Sequence, residues 1–219
     1  MSAETLTQND SKNQWIVLFD GENLDQWKAY NADSITNWKI EGDALVFTPP
    51  KERDGSENLI TKENFENFIL SLDWKISEGG NSGIMWAVQE IDTLSEPYLT
   101  GPEIQILDNK RHPDASVGAD RHANALYDMS APEKDVTNPA GEWNSVTIKI
   151  DHKANLGTVS MNGIQINQFP VHGPQWEKLI ENSKFNDWKH FGKFTSGHIA
   201  LQDHGNKVSF RNIRIKRFD

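Results

Sequence analysis

The chain reads as all-β, an antiparallel sandwich or barrel carrying one short helix, and three observations predict it. Segments of alternating apolar and polar residues recur along the 219 residues, turn-forming residues separate them, and a single stretch has helical spacing. At this length an all-β sandwich routinely folds as one unit with a sizeable core. We read residues 14–219 as that single domain and residues 1–13, polar and aperiodic, as a frayed N-terminal segment.

Taken in order, Trp38-Lys39-Ile40 and Ala44-Leu45-Val46-Phe47 flank Glu41-Gly42-Asp43 and predict a hairpin. Phe68, Leu70, Leu72, Trp74 and Ile76 share one parity, with Ser71, Asp73 and Lys75 on the other, so a long strand with one buried face follows. Gly101 to Asn109 reads as a strand whose Ile104 and Ile106 face the core while Glu103 and Gln105 face outward. A one-residue bulge near Leu107 would turn Leu107 inward and bring Asp108 round beside those two. From Asn109 to Gly141 apolar periodicity lapses among Pro, Gly, Asp and His, which predicts a long functional loop, a lid beside the Glu103 strand.

Val146, Ile148 and Ile150 alternate with Thr147 and Lys149 as a further strand, and Thr158 to Ile166 folds back at Asn162-Gly163, the strongest short hairpin signal. Pro174 opens the one helical stretch, with Trp176, Leu179 and Ile180 at i, i+3 and i+4. Ile199 and Leu201 share a parity, so Gln202 and His204 look onto one common surface. In the last strand Val208 and Phe210 change parity with Ile213 and Ile215, which calls for a bulge near Arg211-Asn212 aiming one of those two inward.

Composition excludes several classes. A net charge of -10 disfavours nucleic acid as a partner, since binding it needs a basic patch. Absence of cysteine removes disulfides, a thiolate nucleophile and cysteine-ligated zinc, and leaves the compartment open. The first ten residues carry neither a basic nor an apolar signal region, and no run of ~18 apolar residues occurs. No membrane partner is expected: the chain reads as soluble, cytoplasmic as given, or periplasmic if a signal was trimmed from a longer precursor. Eight Trp, ten Phe and three Tyr supply both a core and faces on which sugar rings stack.

Six blocks then carry a resemblance: Leu18-Phe19-Asp20-Gly21-Glu22-Asn23-Leu24-Asp25-Gln26-Trp27, Asn81-Ser82-Gly83-Ile84, Gly101 to Asp108, Pro139 to Asn144, Gly197 to Gly205 and Phe210 to Ile215. In this order they resemble the 3-keto-disaccharide hydrolase domain family. The resemblance implies a concanavalin A-like jelly-roll sandwich of two antiparallel sheets, a bacterial source and action on oxidised glycosides. A small-molecule carbohydrate is then the expected partner, and the oligomeric state is left open.

A ketone at C3 acidifies the C2 hydrogen, and loss of that hydrogen lets the C1 oxygen leave by β-elimination before water adds back. This route needs a base near C2, a cation or donor at the developing enolate oxygen, and an acid for the leaving group. Glu103 and His204 are the first choices as acid and base, in either order, with Asp108 beside them. Asn81, Gln105, Gln202, His122 and Tyr127 are candidates for binding the sugar, and Arg211 for holding the enolate or a hydroxyl. Each has a plainer reading: a turn for Asn81, a backbone-bonded strand end for His204, a solvated loop for His112 and His122, and a salt bridge to Glu103 or Asp108 for Arg211. No cofactor is expected, and the irregular histidine spacing argues only weakly for a divalent metal. Asp20-Gly21-Glu22-Asn23 reads as a turn, and Trp143 as the anchor of a strand start.

Two other functions compete. Glu103-x-Gln105-x-x-Asp108 echoes the acidic strand of retaining glycosidases, which would use Glu103 and Asp108 on unoxidised glycosides. In a non-catalytic carbohydrate-binding module the aromatic residues would matter and Glu103 would not.

Overall fold

The computed structural model describes residues 14–219, so the segment 1–13 expected to be frayed lies outside the described residues. Thirteen strands and one α-helix are ordered β1 (Trp15–Phe19), β2 (Trp27–Ala29), β3 (Trp38–Glu41), β4 (Ala44–Phe47), β5 (Leu59–Thr61), β6 (Phe68–Ile76), β7 (Asn81–Val88), β8 (Glu103–Leu107), β9 (Asn144–Asp151), β10 (Leu156–Met161), β11 (Ile164–Phe169), α1 (Gly173–Glu181), β12 (His198–Leu201) and β13 (Val208–Arg217). They form two antiparallel sheets. The larger runs β11-β10-β9-β6-β13-β4-β3, with β1 also on β13, and the smaller runs β2-β5-β12-β7-β8.

The larger sheet follows the alternation directly. Phe68, Leu70, Leu72, Trp74 and Ile76 of β6 are buried while the residues between them are half-exposed. Asn162 (φ 49°) and Gly163 (φ 81°) are both left-handed between β10 and β11, as a turn matched to strand twist requires. Gly42 (φ 64°) turns the β3–β4 hairpin in the same region of backbone space. Phe47, Leu70, Trp74, Ile148 and Phe210 from this sheet meet Ile84, Ile104, Ile106 and Leu201 from the smaller one in a single core.

β13 carries the bulge its parity demands, between Arg211 and Arg214, with Asn212 at φ 53°. Val208, Phe210, Ile213 and Ile215 are all buried as a result. Neither polar residue points inward, however. Arg211 Nε (3.3 Å) and Asn212 Nδ2 (2.8 Å) both donate to Asp73 on the outer face of β6. A guanidinium or amide turned into this aromatic and aliphatic core would lack a partner, and the extra residue is accommodated at lower cost outside.

Helix α1 begins at Gly173 with Pro174 in its first turn and buries Trp176 and Ile180. No helix among the described residues is long and apolar enough to cross a membrane.

Because Phe210 is fully buried where β13 crosses the centre of the larger sheet, Phe210→Ala should cost about 3–5 kcal/mol, read as a lowered urea midpoint with an unchanged slope. A loss below about 1 kcal/mol would contradict the packing described here.

Candidate active site

Strands β7 and β8 pair in unbroken register from Asn81 opposite Leu107 to Met85 opposite Glu103. The two-residue period then sends Ile84, Ile104 and Ile106 into the core and Gly83, Glu103 and Gln105 to the other face. Just past β12 the Gln202 N–H donates to Gly83 O at 2.9 Å, which brings a third strand's end beside the same patch. Asn81, Glu103, Gln105, Gln202 and His204 line one cavity of about 290 Å³, together with Tyr98, Tyr127, Lys184, Phe185 and Trp188.

Glu103 lies on the cavity floor with 8 % of its surface exposed. It crosses Gly83, where any Cβ would overlap its Oε1 and displace the carboxyl. Burial pushes its pKa up to about 8 from the ordinary 4.5, and Asp114 adds to the rise, while Lys184 opposes it. The carboxyl is therefore protonated at neutral pH.

Around it stand three buried amides. Asn81 Oδ1, Gln105 Oε1 and Gln202 Oε1 have no hydrogen-bond partner among the described residues. An unmet buried acceptor costs about 1–3 kcal/mol, which a sugar hydroxyl donating to it would recover. On the apolar side Trp188 meets Tyr98 (6.0 Å between centroids) and the edge of Phe185 (5.0 Å), a wall suited to the flat face of a pyranose.

His204 stands exposed at the mouth. The crowding walls, the His112 ring at 6.2 Å and Arg53 hold its imidazole below the ordinary 6.5, against a smaller pull from Asp114. The imidazole is thus neutral at pH 7.

The long loop 109–141 closes the free edge of β8. Gln105 N–H donates to Ala125 O (3.0 Å), Asn124 N–H to Gln105 O (2.8 Å) and Tyr127 N–H to Glu103 O (3.0 Å), so the segment expected as a lid is bonded to the Glu103 strand itself. This sets Tyr127 in the cavity wall, its hydroxyl donating to Asp114 Oδ2 at 3.1 Å. Burial first, and then Asp114, raise the Tyr127 pKa well above its ordinary value, so the phenol stays protonated.

Three expected site residues lie elsewhere. No bulge interrupts β8: Leu107 is buried in regular register and Asp108 falls beyond the strand end. There Asp108 accepts from Gly79 N–H (2.8 Å), Lys110 N–H (3.1 Å) and Arg111 Nη1 (3.2 Å). Burial favours its neutral form, but these bonds prevail and hold the carboxyl below the usual range. It fastens the turn into the loop and does not line the cavity. Arg211 is on the outer face of the larger sheet, bonded to Asp73 and Asp43 and stacked on Trp143 at 4.1 Å, so its partners are neither Glu103 nor Asp108. His122 Nε2 meets Ala115 O at 3.0 Å inside the loop and also stays out of the cavity. Asp20 and Asn23 accept backbone N–H groups two residues on, as a turn does. Among the described residues no three His, Asp or Glu side chains gather as a metal site would need.

A family model described as the 3-keto-alpha-glucoside-1,2-lyase-like domain matches residues 14–216. The chain belongs to this family. A relative named 3-keto-disaccharide hydrolase, from Bacteroides thetaiotaomicron, is 36% identical over 233 residues, spanning 94% of this chain and 79% of its own. Among solved structures, a candidate glycosyl hydrolase of Parabacteroides distasonis superposes with a TM-score of 0.87 at 29% identity, covering 98% of this chain and 99% of that one. A second from the same organism gives 0.69 at 27% identity, over 94% and 100%. The concanavalin A-like jelly-roll sandwich expected from the resemblance is thus the fold of this family member.

Four wall residues went unread in the sequence. Lys184, Phe185 and Trp188 follow α1 in a stretch with no period, and Tyr98 sits in the short 3-10 turn Pro97–Leu99. Only the density of aromatic and charged residues from Lys184 to Trp188 hinted at a surface role.

Since folding raises the Glu103 pKa from 4.5 to about 8, the folded state binds the extra proton across that interval, and stability falls as pH climbs through it. Glu103→Gln escapes this penalty. Its unfolding free energy relative to the parent, read from urea midpoints, should rise steadily between pH 5 and pH 8, at up to about 1.4 kcal/mol per pH unit. A difference that stays flat over that range would show an ordinary, solvated carboxylate.

Proposed function

We propose that this enzyme cleaves 3-keto-glycosides by removing the C2 proton and expelling the C1 oxygen, with water adding afterwards to complete net hydrolysis. Glycoside cleavage is the common ground of the family match and the named relative. The finer route rests on one observation: Glu103 and His204 line a single cavity, where burial favours the protonated carboxyl and the neutral imidazole.

Those opposite states support one order for the two roles that the sequence left interchangeable. His204 takes the C2 proton, and neutral Glu103 gives its proton to the departing C1 oxygen. The C2–H electron pair forms a C2=C3 bond as the ketone becomes an enolate. When the ketone re-forms, the pair shifts to C1=C2 and the C1–O bond breaks. Glu103, now a carboxylate, then takes a proton from water as the hydroxyl adds to C1, and protonated His204 returns a proton to C2, giving the free 3-keto sugar with both groups restored. No redox cofactor enters this sequence, because the oxidation at C3 is already present in the substrate. Asn81, Gln105 and Gln202 accept from ring hydroxyls, Tyr127, whose proton is given to Asp114, accepts at the wall, and Trp188 carries the ring face.

A retaining glycosidase would need a second carboxyl about 5 Å from Glu103 across the scissile bond. Among the described residues Glu103 is the only carboxyl lining the cavity, and Asp108 is committed to its turn.

Incubation with a 3-keto-glucoside in heavy water should give product carrying deuterium at C2, and the unoxidised glucoside should be left intact. Comparable cleavage of the unoxidised sugar would refute this reading. kcat/KM should rise through an ionisation below 6.5 and fall through one near 8, the latter vanishing in Glu103→Gln with a loss of about 10²–10⁴-fold. Were Glu103 the base, the rate would instead climb through pH 8.

A further inference from the structure

The proposed reaction places negative charge on the C3 oxygen, and a cation there would lower the barrier most. Arg211 is on the far sheet, and three other arginines are each held by carboxylates and absent from the cavity lining: Arg53 by Asp203 at 2.9 Å, Arg111 by Asp108 and Glu78, and Arg121 by Asp128 at 2.6 Å. Lys184 differs. It lines the cavity, forms no ion pair within 4.0 Å among the described residues, and sets its Nζ 4.1 Å from the Tyr127 ring centroid and 5.1 Å from that of Phe185.

The backbone under Lys184 is fixed by an unusual residue. Asp128 adopts φ 59°, a left-handed conformation uncommon outside glycine, and its N–H donates to Asp120 O at 2.9 Å. Its carboxylate takes Arg121 Nη2 (2.6 Å) and Nε (2.9 Å) on one oxygen and the Lys184 N–H (2.7 Å) on the other. One strained aspartate therefore ties the loop after α1 to the loop along β8, with Lys184 at the joint. Phe185 continues the anchor by stacking on Phe191 at 3.8 Å.

Resting on the 3-keto reading above, we infer that Lys184 is the cation that holds the C3 oxygen as it becomes an enolate, and that Asp128 is the residue positioning it. The ammonium keeps its three protons throughout: it pairs with the oxygen while the electron pair resides there and is released when the ketone re-forms. Its field also reaches Glu103, which it draws toward the ionised form. Burial lowers the Lys184 pKa, and nearby Glu103 and Asp128 offset part of that, so the charge is poised within the cavity wall.

The test compares the wild type with Lys184→Met, Lys184→Arg and Asp128→Asn on a 3-keto-glucoside, reading kcat, KM, C2 deuterium exchange and the pH profile. Met should lower kcat and the exchange rate together by about 10²–10³-fold. KM should change less than about threefold, as for an interaction formed only in the transition state. Loss of the cation should also move the basic arm of the profile to higher pH, since Glu103 then ionises later, and Arg should recover part of kcat. Asn tolerates the left-handed backbone at 128 but weakens the Arg121 pair, so kcat should fall about tenfold to a hundredfold with KM little changed. A folded Lys184→Met that keeps wild-type kcat and exchange, or changes only KM, overturns the inference and leaves the 3-keto reading standing. A wild type that neither turns over the 3-keto sugar nor exchanges its C2 hydrogen overturns both.

Discussion

The pairing of β7 with β8 over Gly83 is the contact on which the site depends. Unbroken register divides the two strands into an isoleucine face that joins the core and a polar face that becomes the cavity floor. Only at a residue without a side chain can a carboxyl lie flat against the neighbouring strand, and it is this position that shields Glu103 from water. A neutral acid at pH 7 follows from desolvation, and desolvation follows from a missing methyl group. The amides, the imidazole and the aromatic wall are arranged around that one close approach.

Much of the sandwich was legible because alternation is a local property. β6 runs from Phe68 to Ile76 as its parity required, and the Asn162-Gly163 turn needs only two residues to declare itself. The floor was legible for the same reason: Glu103 and Gln105 share a parity, and Gln202 and His204 open onto one cavity as their spacing implied. Asp108, by contrast, was placed by an assumed bulge, and the strand simply ended, leaving the carboxylate to cap a turn. Arg211 failed for a related reason, since parity identifies a bulge without saying which side of the sheet the extra residue occupies.

What the sequence withheld lies in loops whose position is set by long-range ties. Lys184 and Trp188 follow a helix that reads as a crossover, and nothing local shows that their segment folds over β8. Their place depends on Asp128, fifty-six positions earlier, whose carboxylate accepts the Lys184 N–H. Tyr127 was nameable as a loop aromatic, yet its seat beside Glu103 comes from backbone bonding along the strand edge. A jelly roll thus divides its cavity: the sheet holds Glu103 and the amide acceptors, and loops hold Lys184 and the aromatic wall.

The bonding of residues 124–127 along β8 has a second effect, on how copies of this chain meet. An exposed strand margin is a template for joining sheet to sheet, and here that template is consumed internally. At the opposite margin β2 is only three residues long, and β3 at the end of the larger sheet alternates Lys39 and Glu41 with its apolar positions. The same backbone bonds that seat Tyr127 thereby close the β8 margin to the addition of another strand.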